Sequence, residues 1–147
     1  MNGMKENGPI IPGEKNELDQ GVTPSNLNSP LMFSRWTSIE LVVNQLLKLK
    51  KNTYIILGLS KDKEIDSIVS LFPKKFRYYL CGSYNSRILE SSKLSEYFNQ
   101  NNLNCEVFDF VFEAYDSLLT KTEENDVICI LGSTFIVSDL LKYLDKA

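Results

Sequence analysis

Three clusters hold the residues of this chain best suited to meet a ligand, and each follows a short apolar run. Gly58-Leu59-Ser60-Lys61-Asp62-Lys63-Glu64 follows Tyr54–Leu57. Gly82-Ser83-Tyr84-Asn85-Ser86-Arg87 follows Tyr78–Cys81, and Gly132-Ser133-Thr134 follows Val127–Leu131. In the first cluster Gly58 permits a sharp turn off a strand. Lys61 and Lys63 suit phosphate, and Asp62 suits a ribose hydroxyl or a metal-bound water. The same residues also fit a solvated turn in which Asp62 caps the next helix. A lone arginine such as Arg87 can clamp a carboxylate through two parallel hydrogen bonds, or serve only as a surface charge. The hydroxyls and amides of Gly132-Ser133-Thr134 suit an anion at a helix start, or form a plain Ser/Thr cap. Gly-x-x-x-x-Gly-Lys-Ser/Thr appears nowhere, so none of the clusters is a P-loop.

The chain contains no histidine. That removes Ser-His-Asp and Cys-His chemistry and the commonest metal ligand. Cys81, Cys105 and Cys129 lack zinc-site spacing, so no metal site is expected. Their odd number and apolar surroundings suit reduced, buried thiols in a cytoplasmic protein. A net charge of −3 gives no footprint for nucleic acid and no basic patch for a membrane surface. No apolar stretch approaches the roughly 20 residues that cross a bilayer, and no signal core opens the chain.

The elements that would present these clusters alternate. Thr37 and Glu40 have capping-box spacing, and Ile39, Val42, Val43, Leu46 and Leu47 then recur at helical spacing. The run Tyr54–Leu57 reads as a strand. Ile65, Ile68, Val69 and Phe72 read as a short helix that Pro73 stops. Strand 77–81 precedes helix 91–99, with Leu94, Tyr97 and Phe98 inward. Strand 104–108 precedes helix 110–120, with Asp109 as N-cap and Val111, Tyr115, Leu118 and Leu119 inward. Strand 126–131 precedes helix 135–144, with Val137, Leu140, Leu141 and Leu144 inward. Such alternation predicts right-handed βαβ units and a mainly parallel sheet covered on both faces. All three clusters then share its carboxyl edge, where open α/β sheets bind ligands. The aromatics Trp36, Tyr78, Tyr79, Phe108, Phe110 and Phe112 read as packing. Residues 1–30 hold four of the five prolines and few apolar side chains, so they are expected to form a disordered leader. The folded domain is expected to span 31–147.

Taken in order, three segments resemble the bifunctional dihydrofolate synthase/folylpolyglutamate synthase family. Residues 55–64 resemble its FGxLKDKD segment, 78–87 with Leu94 and Tyr97 its TxxxxPRA loop and helix, and 127–141 its GSxYLVGE segment. The similarity covers about residues 38–147 and corresponds to the C-terminal domain of the Mur ligase superfamily. It implies a three-layer, Rossmann-like α/β fold and an ATP-dependent amide ligase. In that chemistry ATP phosphorylates a carboxylate of a folate-type acceptor, and the amine of glutamate attacks the acyl phosphate. The resemblance implies that Gly58, Lys61, Asp62 and Lys63 lie near the nucleotide, and that Arg87, Gly132, Ser133 and Thr134 meet the incoming amino acid. It assigns no catalytic residue to this chain. ATP and Mg2+ are implied only if a separate P-loop ligase domain completes the site.

The chain departs from the family pattern. Aligning the first helix puts Leu31, Ser34 and Arg35 where the family has Asp, His and Asn. Ser86 replaces the proline of the PRA loop. The 147 residues alone are therefore expected not to ligate anything. They read as a detached or decayed domain, or as a non-catalytic module that binds a nucleotide, an amino acid or a protein partner. A receiver domain is the weaker reading, since no acidic pair follows the first strand.

Overall fold

The computed structural model describes the backbone of residues 18–20, 31–34 and 39–146, and side chains from residue 39 onward. The other leader residues, Arg35, Trp36 and Thr37 of the expected capping box lie outside the described residues. The strands are β1 (Leu18–Gln20), β2 (Leu31–Ser34), β3 (Thr53–Gly58), β4 (Arg77–Cys81), β5 (Cys105–Phe108) and β6 (Val127–Gly132). The helices are α1 (Ile39–Leu49), α2 (Ile65–Val69), α3 (Ser91–Gln100), α4 (Val111–Leu118) and α5 (Thr134–Lys146).

The strands form one sheet in the order β1-β2-β6-β3-β4-β5. All pairs are parallel except β1–β2, which is antiparallel. Sequence patterning gives no strand at 18–20 and places those residues in the leader; in the structure they pair with β2. Three residues are too few for an alternating pattern to register. The expected α/β architecture with a mainly parallel sheet is otherwise observed.

Each central strand alternates between two cores, as the two-residue period of a strand dictates. Ile55, Leu57, Tyr78, Leu80, Cys129 and Leu131 pack beneath α1, α2 and α3. Tyr54, Ile56, Tyr79, Cys81, Ile128 and Ile130 pack beneath α4 and α5. Strands buried on both faces read as unbroken apolar runs, and Tyr54–Leu57 and Val127–Leu131 do so with every residue buried. The chain steps from β2 to β3, β4 and β5 with its helices on one face. It then returns from β5 to β6 with α4 on the other, as right-handed crossovers require.

Several local expectations need correction. Helix α2 ends at Val69, well before Pro73, and the chain leaves it through i→i+3 bonds from Leu71 and Phe72. Its N-cap is Glu64, so Asp62 does not cap it. Helix α4 is capped at Phe110 rather than Asp109. Glu113 Oε1 accepts the Phe110 N–H at 3.1 Å, a charged acceptor taking the place of an Asp109 side-chain cap. On α5 the buried stripe is Ile136 and Leu140, while Leu141 is 44% exposed. Ile136 settles over Gly58, which has no side chain to exclude it, so the inward face gains Ile136 and loses Leu141, while Val137 and Leu144 stay packed against the core.

Cys81 and Cys129 are buried and Cys105 is half-buried. Burial pushes all three thiols up, and the Asp139 charge adds to the effect at Cys81. A thiolate-directed reagent is therefore expected to modify Cys105 first and to reach Cys81 and Cys129 only on unfolding. Mass spectrometry of the native, labelled chain tests this. Early modification of Cys129 would contradict the packing.

Candidate functional site

The site begins where β3 and β6 end side by side. Gly58 pairs with Gly132 at the last step of their ladder. Beyond it the chain from β3 enters α2 on one face, whereas the chain from β6 enters α5 on the other. Adjacent strands whose connections part in this way open a crevice at their carboxyl ends. A cleft of about 540 Å³ lies there, lined by Ile39, Ser60, Asp62, Lys63, Glu64 and Ser67 with Gly132 to Phe135 across from them.

Two glycines permit this close approach. Gly132 has φ +106°, and a Cβ on it would collide with the Gly58 carbonyl oxygen. A Cβ on Gly58 would fall 2.6 Å from Ile136 Cγ1 and 2.9 Å from the Cys81 carbonyl oxygen. Both glycines therefore have structural duties whatever the cleft binds.

Ser133 is the N-cap of α5. Its Oγ accepts the Phe135 N–H at 3.1 Å, its carbonyl accepts the Ile136 N–H at 3.0 Å, and its own N–H donates to the Gly58 carbonyl at 2.9 Å. These bonds occupy much of the donor set that a helix start offers. The Thr134 N–H, fixed by the helix, remains as a backbone donor, the Thr134 hydroxyl can rotate, and the Ser133 hydroxyl can still donate while its oxygen accepts the Phe135 N–H. Across the cleft Asp62, Lys63 and Glu64 are all exposed and mix both charges.

Lys61 and Arg87 are not part of the lining. Both are exposed, and they meet through the backbone: Lys61 N–H donates to the Arg87 carbonyl at 2.8 Å, and Leu89 N–H to the Leu59 carbonyl at 2.8 Å. A Ser60–Ile88 bridge completes the contact, so the loop after β4 folds back onto the loop after β3. Of the residues singled out from sequence, Asp62, Lys63, Gly132, Ser133 and Thr134 line the cleft, with Gly58 at its base. Ser60, Glu64, Ser67, Ile39 and Phe135 also line it. Ser60 and Glu64 lay inside a cluster already noticed. Ser67 and Ile39 reach the cleft from helices, and only the sheet order brings them together.

The described residues hold no cluster of three or more His, Cys, Asp or Glu able to hold a metal ion. None of their helices is long and apolar enough to cross a membrane.

No family model matches the chain. A dihydrofolate synthase/folylpolyglutamate synthase of Buchnera aphidicola is 26% identical over 94 residues, 63% of this chain and 22% of that protein. The ligand-free bifunctional folylpolyglutamate synthase/dihydrofolate synthase of Yersinia pestis superposes with a TM-score of 0.69 at 16% identity. That match covers 92% of this chain and 32% of the enzyme. A structure of such a synthase with Mn, AMPPNP and L-glutamate bound matches at TM-score 0.66 and 16% identity, over 86% of this chain and 31% of the other. The chain thus spans about a fifth of the length of the curated relative and about a third of the solved enzymes. At 16% identity the structural matches establish a shared fold. Together with the curated relative they bear out the resemblance drawn from the three segments.

Proposed function

We propose that these residues form the C-terminal domain of a folylpolyglutamate synthase-like, ATP-dependent amide ligase, contributing one wall of its site. One observation carries the reading: the cleft at the β3–β6 switch point is bordered by two of the three segments on which the resemblance rests. Gly58, Lys61, Asp62 and Lys63 form the nucleotide side, and Arg87, Gly132, Ser133 and Thr134 the amino-acid side. Lys61 and Lys63 offset phosphate charge and Asp62 orders a hydroxyl or water. The Ser133 and Thr134 hydroxyls with the Thr134 amide orient a carboxylate, and Arg87, which lies outside the lining, would have to turn toward the cleft to join them. The bound AMPPNP, Mn and L-glutamate of the related synthase support this ligand set. ATP and Mg2+ enter only with a complementary P-loop domain, which would supply the phosphate cradle. Glutamate and a folate-type acceptor are the proposed substrates.

A second reading is a non-catalytic module that keeps the cleft and binds a nucleotide, an amino acid or a protein partner. The observation favouring it is the replacement of the expected Asp, His and Asn by Leu31, Ser34 and Arg35. Both readings predict that the 147-residue chain alone does not ligate. Phosphoryl transfer depends on positioning and charge stabilisation, and these residues contain no phosphate cradle. Purified chain with ATP, Mg2+, glutamate and a folate acceptor should release no ADP above background. Adding a P-loop ligase domain should restore release under the first reading and not under the second. Release by the chain alone, abolished by Lys61→Ala, would overturn both.

A further inference from the structure

The loop after β4 is fixed by a run of hydrogen bonds that starts on α5. Ser83 Oγ donates to Asp139 Oδ2 at 2.7 Å. Asn85 N–H donates to Ser83 Oγ at 3.1 Å, and Arg87 N–H to Asn85 Oδ1 at 2.9 Å. The Arg87 carbonyl then receives the Lys61 N–H at 2.8 Å. The run ties α5, which begins at the Ser133 cap, to Arg87 and onward to the loop after β3. Residues 83–87 bury no apolar side chain, although Ile88 just beyond them is 4% exposed in the second core and anchors the end of the loop. Tyr84 is 86% exposed with one ring face on Phe110, and Ser86 and Arg87 are exposed. A segment held mainly by half-buried and exposed hydrogen bonds, with little packing of its own, opens more easily than a central strand. Its strongest single tie is the short bond to a carboxylate.

We propose that Asp139 is a positioning residue: acting through Ser83 and Asn85, it sets the Arg87 loop against the Lys61 loop at the mouth of the cleft. The link to ligand binding rests on the reading of the cleft given above. Asp139 itself touches no ligand in this scheme. Its carboxylate accepts the Ser83 proton, which leaves the Ser83 lone pairs to hold the Asn85 amide.

Hydrogen exchange on the full chain tests the tether without any ligand. In Asp139→Ala the Asn85 and Arg87 amides should exchange about tenfold faster or more, while amides of β3 and β6 keep their protection. Asp139→Asn should recover most of the protection, because its amide oxygen still accepts from Ser83. Ser83→Ala removes that bond and also the acceptor of the Asn85 N–H, so it should speed exchange at least as much as Asp139→Ala. Unchanged exchange at Asn85 and Arg87 in both cut variants would overturn the proposal. A glutamate titration followed by NMR separates the two ideas. Glutamate-dependent shifts in the wild type that weaken in Asp139→Ala and return in Asp139→Asn support positioning. Identical shifts in all three overturn it. Faster loop exchange in Asp139→Ala, with no glutamate shifts even in the wild type, supports the tether and overturns the reading of the cleft.

Discussion

Replacing Gly132 by valine is expected to remove a large share of the stability of this chain. The residue has φ +106°, and a β-branched side chain there costs about 1–3 kcal/mol. Its Cβ would also strike the Gly58 carbonyl oxygen, a backbone atom of the neighbouring central strand. Neither β3 nor β6 can retreat, because each is buried on both faces and paired on both edges. Overpacking of this kind adds about 1–3 kcal/mol. The sum, about 2–6 kcal/mol, is large against the roughly 5–15 kcal/mol that holds a domain together. A midpoint drop of about 10 °C or more should follow in thermal unfolding. Gly82→Ala is the control: its Cβ would lie 3.1 Å from the Asp109 carbonyl oxygen, with no left-handed strain. A Gly132→Val midpoint within about 2 °C of wild type would contradict the strand geometry on which the cleft depends.

Tyr78→Ala should be nearly as severe. Tyr78 is 1% exposed at the centre of the first core, with ring centroids 5.2 Å from Phe72 and 5.1 Å from Phe98. Emptying such a site costs about 3–5 kcal/mol, since the rings around it cannot close the cavity. Tyr78→Phe separates packing from polarity. It keeps the ring but leaves the Pro73 carbonyl without the hydroxyl that donates to it at 2.5 Å, a loss of about 1–3 kcal/mol. Tyr84→Ala, at a ring 86% exposed, should change stability by less than about 1 kcal/mol. Urea midpoints for the three variants test this order. A Tyr78→Ala variant no weaker than Tyr84→Ala would show that the first core is not packed as described.

The central strands and most helices were legible because they are strongly periodic. Tyr54–Leu57 and Val127–Leu131 are apolar throughout, as strands buried on both faces must be, and strand 77–81 matches β4. Errors arose where a tertiary contact outweighs local pattern. Ile136 took an inward place that was not expected, and Leu141 lost one, because the space above Gly58 lies across the sheet and leaves no mark in the helix's own sequence; Val137, Leu140 and Leu144 face the core as expected. Phe110 became the cap of α4, where the Glu113 carboxylate reaches back to accept its N–H. The cleft was half legible. Gly132, Ser133 and Thr134 announced themselves as a helix start, and Asp62 and Lys63 as a charged turn. The Gly58–Gly132 pairing joins residues 74 apart in the chain and requires the strand order. The Ser83–Asp139 bond, 56 residues apart, gave no local signal.

The central claim is that the cleft between the β3 and β6 loops receives the carboxylate of an amino acid. Titrating isotopically labelled chain with glutamate, while recording amide shifts, tests it most directly. Few groups are available to offset the cost of association, so binding by this wall alone should be weak, with a Kd of about a millimolar or above. Shifts should gather at residues 132–136, at 58–64 across the cleft and near Arg87, and should saturate together. Shifts spread evenly over the surface, or none at roughly tens of millimolar glutamate, would reduce Gly132-Ser133-Thr134 to the cap of α5.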